Sequence, residues 1–317
     1  MNRTTAIALA GALLLVVLIF ALTGRGSGVP QLDGEPTVNL IDKESGTTRQ
    51  LSMEEYLKGV VAGEMGQLPA EGGDGGDWPA AAYEAQTILA RSFALSFLTS
   101  AGTVDISTDV EEAQAYAPEK VTPAIAAAVE ATRGMVMAHQ GGYVKAWFHS
   151  YSGGHTATAK EGLNYAHDEP GFVRARPVPE NEFVPDEVRS WSMSMPLAEL
   201  QQALAQSGID VGEIRAVKVG EWGPSGRATR IDVTGTNGTQ SLHAADFRIA
   251  VGSERMRSTK LERLEVQGDR LVAAGVGFGH GVGLSQWDAY KLAREGRSAR
   301  EILEYFFKDI TIGKAWR

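Results

Sequence analysis

The stretch of residues 51–65 constrains the fold of this chain more than any other segment. Ser52 and Glu55 have the spacing of a capping box, in which a hydroxyl accepts from first-turn amides and a carboxylate three residues later reaches back. The helix that this spacing predicts places three apolar side chains on one face, namely Leu57, Val60 and Val61. We therefore expect this face to pack in a core.

Glu64 continues the same face, three residues after Val61. A carboxylate is unfavourable in an apolar stripe unless it is paired, protonated or facing a cleft. Desolvation raises the pKa of a carboxyl group, which is what a general acid near neutral pH needs. Two interpretations stay open at this point: Glu64 is a catalytic acid, or it caps a neighbouring element or pairs with an arginine.

Composition limits the class of protein. The chain has 317 residues, of which 43% are apolar and 22% charged, which is typical of one large or two moderate globular domains. The net charge is −9 and the basic residues are scattered, so nucleic acid is not an expected partner. The chain has no cysteine, which excludes disulfides and thiolate metal ligands, and we expect no cofactor.

The N-terminus predicts a membrane anchor. An apolar run of 17 residues, Ala6–Leu22, follows Arg3 and precedes Arg25, and its length suits a short span better than a signal-peptide core. We predict an uncleaved single-pass anchor at residues 1–25, with a cleaved signal peptide as the second possibility. A linker at 26–36 would then lead into an extracytoplasmic domain at 37–317.

The remaining pattern predicts an α+β fold, with helices and antiparallel sheet in one compact domain that has an inserted mixed part at about 170–270. The segments on which this rests are a strand at 37–41, a Gly/Asp-rich loop at 66–77, helices at 80–98 and 123–132, a hairpin at 135–149, a surface loop at 165–190, a helix at 196–207, strands at 214–219, 228–234 and 261–266, a helix at 244–250, and helices at 285–293 and 302–307.

The alanine-rich helix at 80–98 carries two polar side chains of interest, Gln86 and Arg91. Because alanine-rich helices pack closely, this helix is expected to be central. A buried arginine needs a carboxylate partner, and Glu64 is the partner that the sequence favours for Arg91.

Two further stretches are rich in glycine and polar residues. FHSYSGGHT at 148–156 is typical of a ligand-contacting loop, in which His149 and His155 are weak metal candidates, and a hydrogen-bonded polar turn is the alternative. Ser152 lacks the strand–turn–helix context of a serine nucleophile. The alternating glycines at 275–283 precede a helix rather than a βαβ unit, which disfavours nucleotide binding. We predict instead a backbone that approaches an extended ligand, with His280 and Gln286 as hydrogen-bonding groups.

Together these stretches resemble the stage II sporulation protein D / amidase-enhancer family across residues 37–313. The motifs that carry the resemblance are EYLKGVVAGEM at 55–65, the segment from Trp78-Pro79 to Arg91, FHSYSGGHT at 148–156 and GHGVGLSQ at 279–286. The resemblance implies a peptidoglycan lytic transglycosylase outside the cytoplasmic membrane, which cleaves peptide-stripped glycan strands during engulfment of the forespore. It also implies a cell-wall amidase/endopeptidase and a membrane scaffold as partners.

The resemblance also implies residue roles. The family's catalytic acid matches Glu64, Arg91 matches a family arginine near the active site, and Gln86 is carried over with it. The side chains then expected to line the glycan groove are Tyr151, Ser152, His155, His280, Ser285 and Gln286. Some members bind zinc through cysteine and histidine in the 148–156 loop, but Tyr151 and Ser152 stand where a thiolate could be.

The chain also departs from the family near Glu64, because Gly66 replaces a usual proline and the loop before Trp78 is longer. Two other functions stay open at this point. One is a glycan-binding activator of an amidase that does no catalysis, and the other is a zinc-dependent amidase.

Overall fold

The computed structural model describes residues 28–43, 45–68, 75–109 and 113–317. The predicted anchor at 1–25 and the middle of the Gly/Asp-rich loop at 66–77 therefore lie outside the described residues. Within the described ranges, no helix is both long enough and apolar enough to cross a bilayer.

The described ranges combine helices with mainly antiparallel strands, which is the predicted α+β class. The helices of the described ranges are α1 (Met53–Glu64), α2 (Ala80–Leu95), α3 (Pro123–Ala131), α4 (Ala159–Leu163), α5 (Asp186–Arg189), α6 (Leu197–Gln206), α7 (Ala244–Val251), α8 (Gln286–Arg294) and α9 (Ala299–Phe306). The strands of the same ranges are β1 (Thr37–Ile41), β2 (Thr48–Ser52), β3 (Thr103–Ser107), β4 (Met135–His139), β5 (Gly142–Tyr143), β6 (Phe148–His149), β7 (Ser190–Pro196), β8 (Ile214–Trp222), β9 (Ala228–Gly235), β10 (Gly238–His243), β11 (Leu261–Gln267), β12 (Arg270–Val276), β13 (Leu284–Ser285) and β14 (Thr311–Lys314).

In these ranges the strands form small sheets rather than one large one. Their orders are β2-β1-β3, β10-β9-β8, β11-β12-β7, β13-β6 and β14-β4-β5. Pairing is antiparallel except between β1 and β3 and between β6 and β13. The last pair corrects the sequence-based hairpin, because Phe148 and His149 leave β4 and align with Leu284 and Ser285 instead.

The α2 helix is central, as its alanine content predicts. It packs against α1, α3, α8, α9 and β4. The helix begins after Pro79 and its side chains are buried almost throughout. Small side chains let five elements approach one helix closely, and this arrangement surrounds Gln86 and Arg91 with protein on all sides.

The N-terminus of α1 is capped by one half of the predicted capping box. Ser52 Oγ accepts from the Glu55 backbone N–H at 3.3 Å. The Glu55 carboxylate does not reach back; it accepts from Lys58 Nζ at 2.8 Å, one turn along the helix. A complete capping box forms between Ser298 and Glu301 at the start of α9.

A second hydrophobic cluster lies in the region from Trp191 to Ala273 and includes side chains from β7, β8, β9, β11, β12, α6 and α7. The strands predicted at 214–219, 228–234 and 261–266 are present and longer, while β7, β10 and β12 were not predicted.

The surface loop predicted at 165–190 is wrong in one respect. Its Val173, Asn181 and Val184 are buried, so this largely exposed segment is anchored in the interior by these side chains.

Candidate active site

Three of the motifs meet at the C-terminal end of α1. Val61, Tyr151 and Trp287 belong to one buried cluster, which joins the 55–65, 148–156 and 279–290 stretches. Gln286 Nε2 donates to the backbone carbonyl of Glu64 at 3.3 Å and so satisfies one of the free carbonyl groups at the helix end. These stretches therefore meet at the end of α1 that carries Glu64.

The Glu64 carboxyl group is mostly buried and is oriented by a backbone amide. Its Oε1 accepts from the Ala115 N–H at 2.6 Å. Burial raises the pKa of Glu64 from 4.5 to about 7, and the Ala115 hydrogen bond opposes this rise. Of the alternatives left open by the sequence, Glu64 does contact a neighbouring segment, but in the described part of the chain no arginine pairs with it.

The segment around Ala115 can lie against α1 because two glycines face it. A Cβ atom on Gly63 would come within 2.8 Å of the Ala115 carbonyl carbon and oxygen, closer than real Cβ contacts. One turn earlier, the Ala117 N–H donates to the Gly59 carbonyl at 2.9 Å. These close approaches place the Ala115 amide at the Glu64 carboxyl group.

Gly63→Ala is expected to destabilise the fold by about 1–3 kcal/mol, because the added methyl group overpacks this contact and moves the Ala115 segment away from α1. Urea unfolding measures the change. Gly34→Ala is the matched control, because no atom lies within 4 Å of the added Cβ and the Gly34 backbone is not in the left-handed region. Equal stability of Gly63→Ala and the parent chain would contradict the described contact.

The raised pKa of Glu64 also makes the free energy of unfolding depend on pH. Between pH 4.5 and 7 the folded carboxyl group holds a proton that the unfolded one has released, so the free energy of unfolding falls as pH rises. Glu64→Gln removes this slope and is expected to stabilise the fold above pH 7 by up to about 3 kcal/mol. Chemical unfolding of both chains from pH 4 to 8 is the measurement, and identical slopes would contradict the raised pKa.

Two buried amides lie in the elements that surround α1. Gln86 is 1% exposed, and neither its Oε1 nor its Nε2 has a hydrogen-bond partner among the described residues. Gln114 accepts from the Tyr56 hydroxyl at 3.4 Å, while its Nε2 has no partner in the same ranges. The sequence singled out Gln86 on the alanine-rich helix, and the family resemblance gave it a role, whereas nothing in the sequence indicated Tyr56, Gln114 or the Ala115 amide.

Arg91 does not pair with Glu64, which corrects the prediction from sequence. Its Nη2 donates to Glu54 Oε2 at 2.5 Å, and its Nη1 donates to the Met135 carbonyl at 2.8 Å. Glu54 Oε1 accepts from the Gly134 N–H at 3.0 Å. Glu54 lies ten residues before Glu64, at the other end of α1 and about 15 Å away along the axis. Arg91 thus neutralises a different buried carboxylate.

Ser152 and Ser285 are placed in a buried network, not on a groove. Both hydroxyls donate to Asp288 Oδ2, at 2.6 Å and 2.5 Å, and both side chains are fully buried. Asp288 Oδ1 accepts from Asn181 Nδ2 at 3.1 Å. Burial raises the pKa of Asp288, while these donors lower it. The network joins the 148–156 loop to α8. In the sequence, the spacing of Ser285 and Asp288, which is that of a capping box, was the signal that could have indicated Asp288.

Tyr151 and Gln286 are also largely buried, Tyr151 in the cluster at the end of α1. His155 is half-buried, and its Nδ1 contacts the Thr156 carbonyl oxygen at 2.7 Å. Among the predicted groove residues, Gln286 does contact Glu64, because its side-chain amide donates to the Glu64 backbone carbonyl.

His149 and His280 face each other with ring centroids 5.6 Å apart. Burial lowers the pKa of His280 to about 3 and holds the pKa of His149 well below its usual value, with Arg227 adding to both effects. Both rings are therefore neutral at physiological pH. Within the described ranges, no group of three or more histidine, aspartate or glutamate side chains could hold a metal ion.

Two of the alternating glycines, Gly281 and Gly283, pack against other segments of the chain. Gly283 has φ +74°, and a Cβ atom on it would collide with the carbonyl group of Trp147. Gly281 has φ +86°, and its Cβ would collide with the guanidinium of Arg227. Glycine is needed here so that the strand before α8 can lie against the 147–155 segment and against Arg227.

Comparison with known proteins gives matches to two family models. Residues 42–139 match the family model described as stage II sporulation protein, SpoIID, and residues 181–283 match a model described as a domain of unknown function, DUF8618. The chain is 26% identical over 287 residues to stage II sporulation protein D of Bacillus subtilis (strain 168), across 85% of this chain and 76% of that protein.

Two other relatives extend the comparison. An uncharacterized protein of Brachyspira hyodysenteriae is 27% identical over 266 residues, across 83% of this chain and 67% of that protein. The amidase enhancer of Bacillus subtilis is 22% identical over 304 residues, but the match covers only 40% of its length.

The site is thus a buried carboxyl group at the end of α1, within a domain of the SpoIID type. Residues 42–139 match the SpoIID family, and most of the chain is similar to stage II sporulation protein D and to the amidase enhancer. Glu64, Gln86 and Arg91 lie in the part that matches the SpoIID model. The resemblance inferred from the four motifs is confirmed at this level.

Proposed function

We propose that this protein is a lytic transglycosylase that cleaves peptidoglycan glycan strands, with Glu64 as its acid and base. The observation that carries the proposal is the Glu64 carboxyl group, whose pKa burial raises to about 7. Such a group is protonated in a useful fraction of molecules at neutral pH, as a general acid must be.

The hydrogen bonding of Asp288 favours this reaction over hydrolysis. A glycosidase that uses water needs two carboxyl groups, one of them as nucleophile or base. Asp288 is the buried carboxylate of α8, and both of its oxygens already accept hydrogen bonds from Ser152, Ser285 and Asn181. It is therefore not free to activate water.

In the proposed reaction Glu64 gives its proton to the glycosidic oxygen while the bond from that oxygen to the anomeric carbon breaks. The 6-hydroxyl of the same muramic acid unit attacks the anomeric carbon, forms a 1,6-anhydro ring and returns its proton to Glu64. The Ala115 N–H holds Oε1 as the accepting oxygen, which leaves Oε2 to carry the proton. No external water enters, so one carboxyl group is sufficient.

The same proposal includes the setting in which the enzyme works. We propose an extracytoplasmic protein, held at the membrane by residues 1–25, that acts on peptide-stripped strands together with a cell-wall amidase and a membrane scaffold during sporulation. The relationship to stage II sporulation protein D supports the sporulation role, and the relationship to the amidase enhancer supports an amidase as partner.

The similarity to the amidase enhancer also favours a second candidate, an activator of an amidase without catalysis of its own. Incubating the full chain with amidase-treated glycan strands, and separately with intact peptidoglycan plus an amidase, distinguishes the two. Shortened strands in the first incubation support the transglycosylase. Unchanged strands, together with faster amidase turnover in the second, would establish the activator instead.

A further inference from the structure

A cleft of about 720 Å³ lies away from Glu64, between α4 and the sheet β10-β9-β8. Its volume falls within the range of about 300–1,000 Å³ that is typical of small-ligand sites. The part contributed by β8, β9 and β10 belongs to the stretch that matches the domain of unknown function. The proposed reaction at Glu64 assigns no role to this cleft.

The cleft contains a buried carboxylate of which only one oxygen accepts hydrogen bonds among the described residues. Glu161, on α4, is 4% exposed and lines the cleft. Its Oε1 accepts from the Ser225 hydroxyl at 2.6 Å and from the Ser225 N–H at 3.0 Å. Its Oε2 has no hydrogen-bond partner among the described residues, and neither does the buried hydroxyl of Thr229, which also lines the cleft. Buried polar atoms of this kind are normally paired.

An exposed aromatic side chain stands beside this carboxylate. Trp222, at the end of β8, lines the cleft and is 52% exposed, which is unusual for so large an apolar side chain. The next residue, Gly223, lies so close to Glu161 that an added Cβ would come within 2.7 Å of its carboxyl carbon. The backbone next to Trp222 therefore packs directly against Glu161.

The charges of the cleft favour an uncharged, hydroxyl-rich ligand. Lys160 and Arg230 are balanced by Glu161 and Glu221, so the lining attracts neither a phosphate nor a cation. In addition, Arg230 Nε donates a hydrogen bond to Asp232 Oδ1 at 3.1 Å. An exposed ring face next to isolated hydrogen-bonding groups matches a pyranose, which has an apolar face of C–H groups and a polar rim.

We propose that this cleft binds an N-acetylated saccharide, with Trp222 stacking on a sugar ring and the free oxygens of Glu161 and Thr229 accepting from its hydroxyl or amide groups. The site would hold a second stretch of the glycan strand while the reaction occurs at Glu64. The choice of ligand rests on the proposed function, whereas the existence of a binding cleft rests on the contacts above.

The test is a calorimetric titration of the full chain with the β-1,4-linked tetramer of N-acetylglucosamine. All chains carry Glu64→Gln, so that the result does not depend on cleavage. Trp222→Ala is expected to weaken binding about tenfold, Trp222→Tyr to retain most of it, and Glu161→Gln to weaken it about threefold. The matched control is Ile249→Ala, because Ile249 is 58% exposed on α7 and is not among the residues that line the cleft.

Equal affinity of the Trp222→Ala and Ile249→Ala chains would overturn the proposal, and so would tetramer binding too weak to measure in the parent chain. Displacement of the tetramer by a free stem peptide would overturn it in favour of a peptide site. Failure of the proposed function is seen separately: a chain that binds the tetramer through Trp222 but leaves strands intact keeps the cleft and loses the transglycosylase.

Discussion

Glu64→Gln is expected to lower the rate of glycan strand cleavage by about 10³-fold while the chain stays folded. The amide keeps the shape of the carboxyl group, and its oxygen still accepts from the Ala115 N–H. It carries no proton that can be transferred to the glycosidic oxygen and cannot take one back from the 6-hydroxyl. The rate of release of soluble fragments from peptide-free strands is the measurement.

The matched control is Glu55→Gln, which makes the same chemical change on the same helix. Glu55 is exposed and pairs with Lys58, so its loss removes a surface ion pair of little consequence. Cleavage by Glu55→Gln is expected to stay within about twofold of the parent rate. A Glu64→Gln chain that cleaves as fast as Glu55→Gln would remove Glu64 from the reaction.

Arg91→Met is expected to destabilise the fold by about 3–5 kcal/mol, the largest stability effect that we predict. Arg91 is 0% exposed, and its removal leaves Glu54 as an uncompensated buried carboxylate. The Met135 carbonyl also loses its donor. Urea unfolding gives the loss directly, and because Arg91 lies far from Glu64, activity per folded molecule is expected to stay within about threefold.

A double substitution separates an ion pair from a catalytic role. When Glu54→Gln is combined with Arg91→Met no buried charge is left, and the amide oxygen introduced at position 54 can still accept from the Gly134 N–H. We expect this chain to regain about half of the lost stability. If Arg91→Met instead removes cleavage at full stability, Arg91 acts in the reaction and the structural role described for it is wrong.

Local patterns in the sequence predicted the position of Glu64 well. The apolar spacing at Leu57, Val60 and Val61 defined the buried face of α1, and all three side chains are fully buried. The Ser52 cap and the alanine content of α2 were equally local signals. Such features depend on residues within one or two helical turns, which the sequence displays directly.

The partners of the polar side chains could not be predicted in the same way. Arg91 meets Glu54 rather than Glu64 because α1 and α2 pack in a register that neither helix encodes alone. The Ala115 amide that holds Glu64 is a backbone group, which no residue type indicates. The glycines at Gly281 and Gly283 suggested a ligand, yet the atoms that need the space belong to Trp147 and Arg227.

The central claim, a carboxyl group that cleaves glycan without water, is tested most directly by product masses after digestion in ¹⁸O-labelled water. Peptide-free strands are digested by the full chain, with the Glu64→Gln chain as control. We expect fragments that end in 1,6-anhydromuramic acid, are one water lighter than hydrolytic products, carry no ¹⁸O and are formed by the parent chain only. Reducing ends that carry ¹⁸O would contradict it, because they would show that water, activated by another group, had attacked the anomeric carbon.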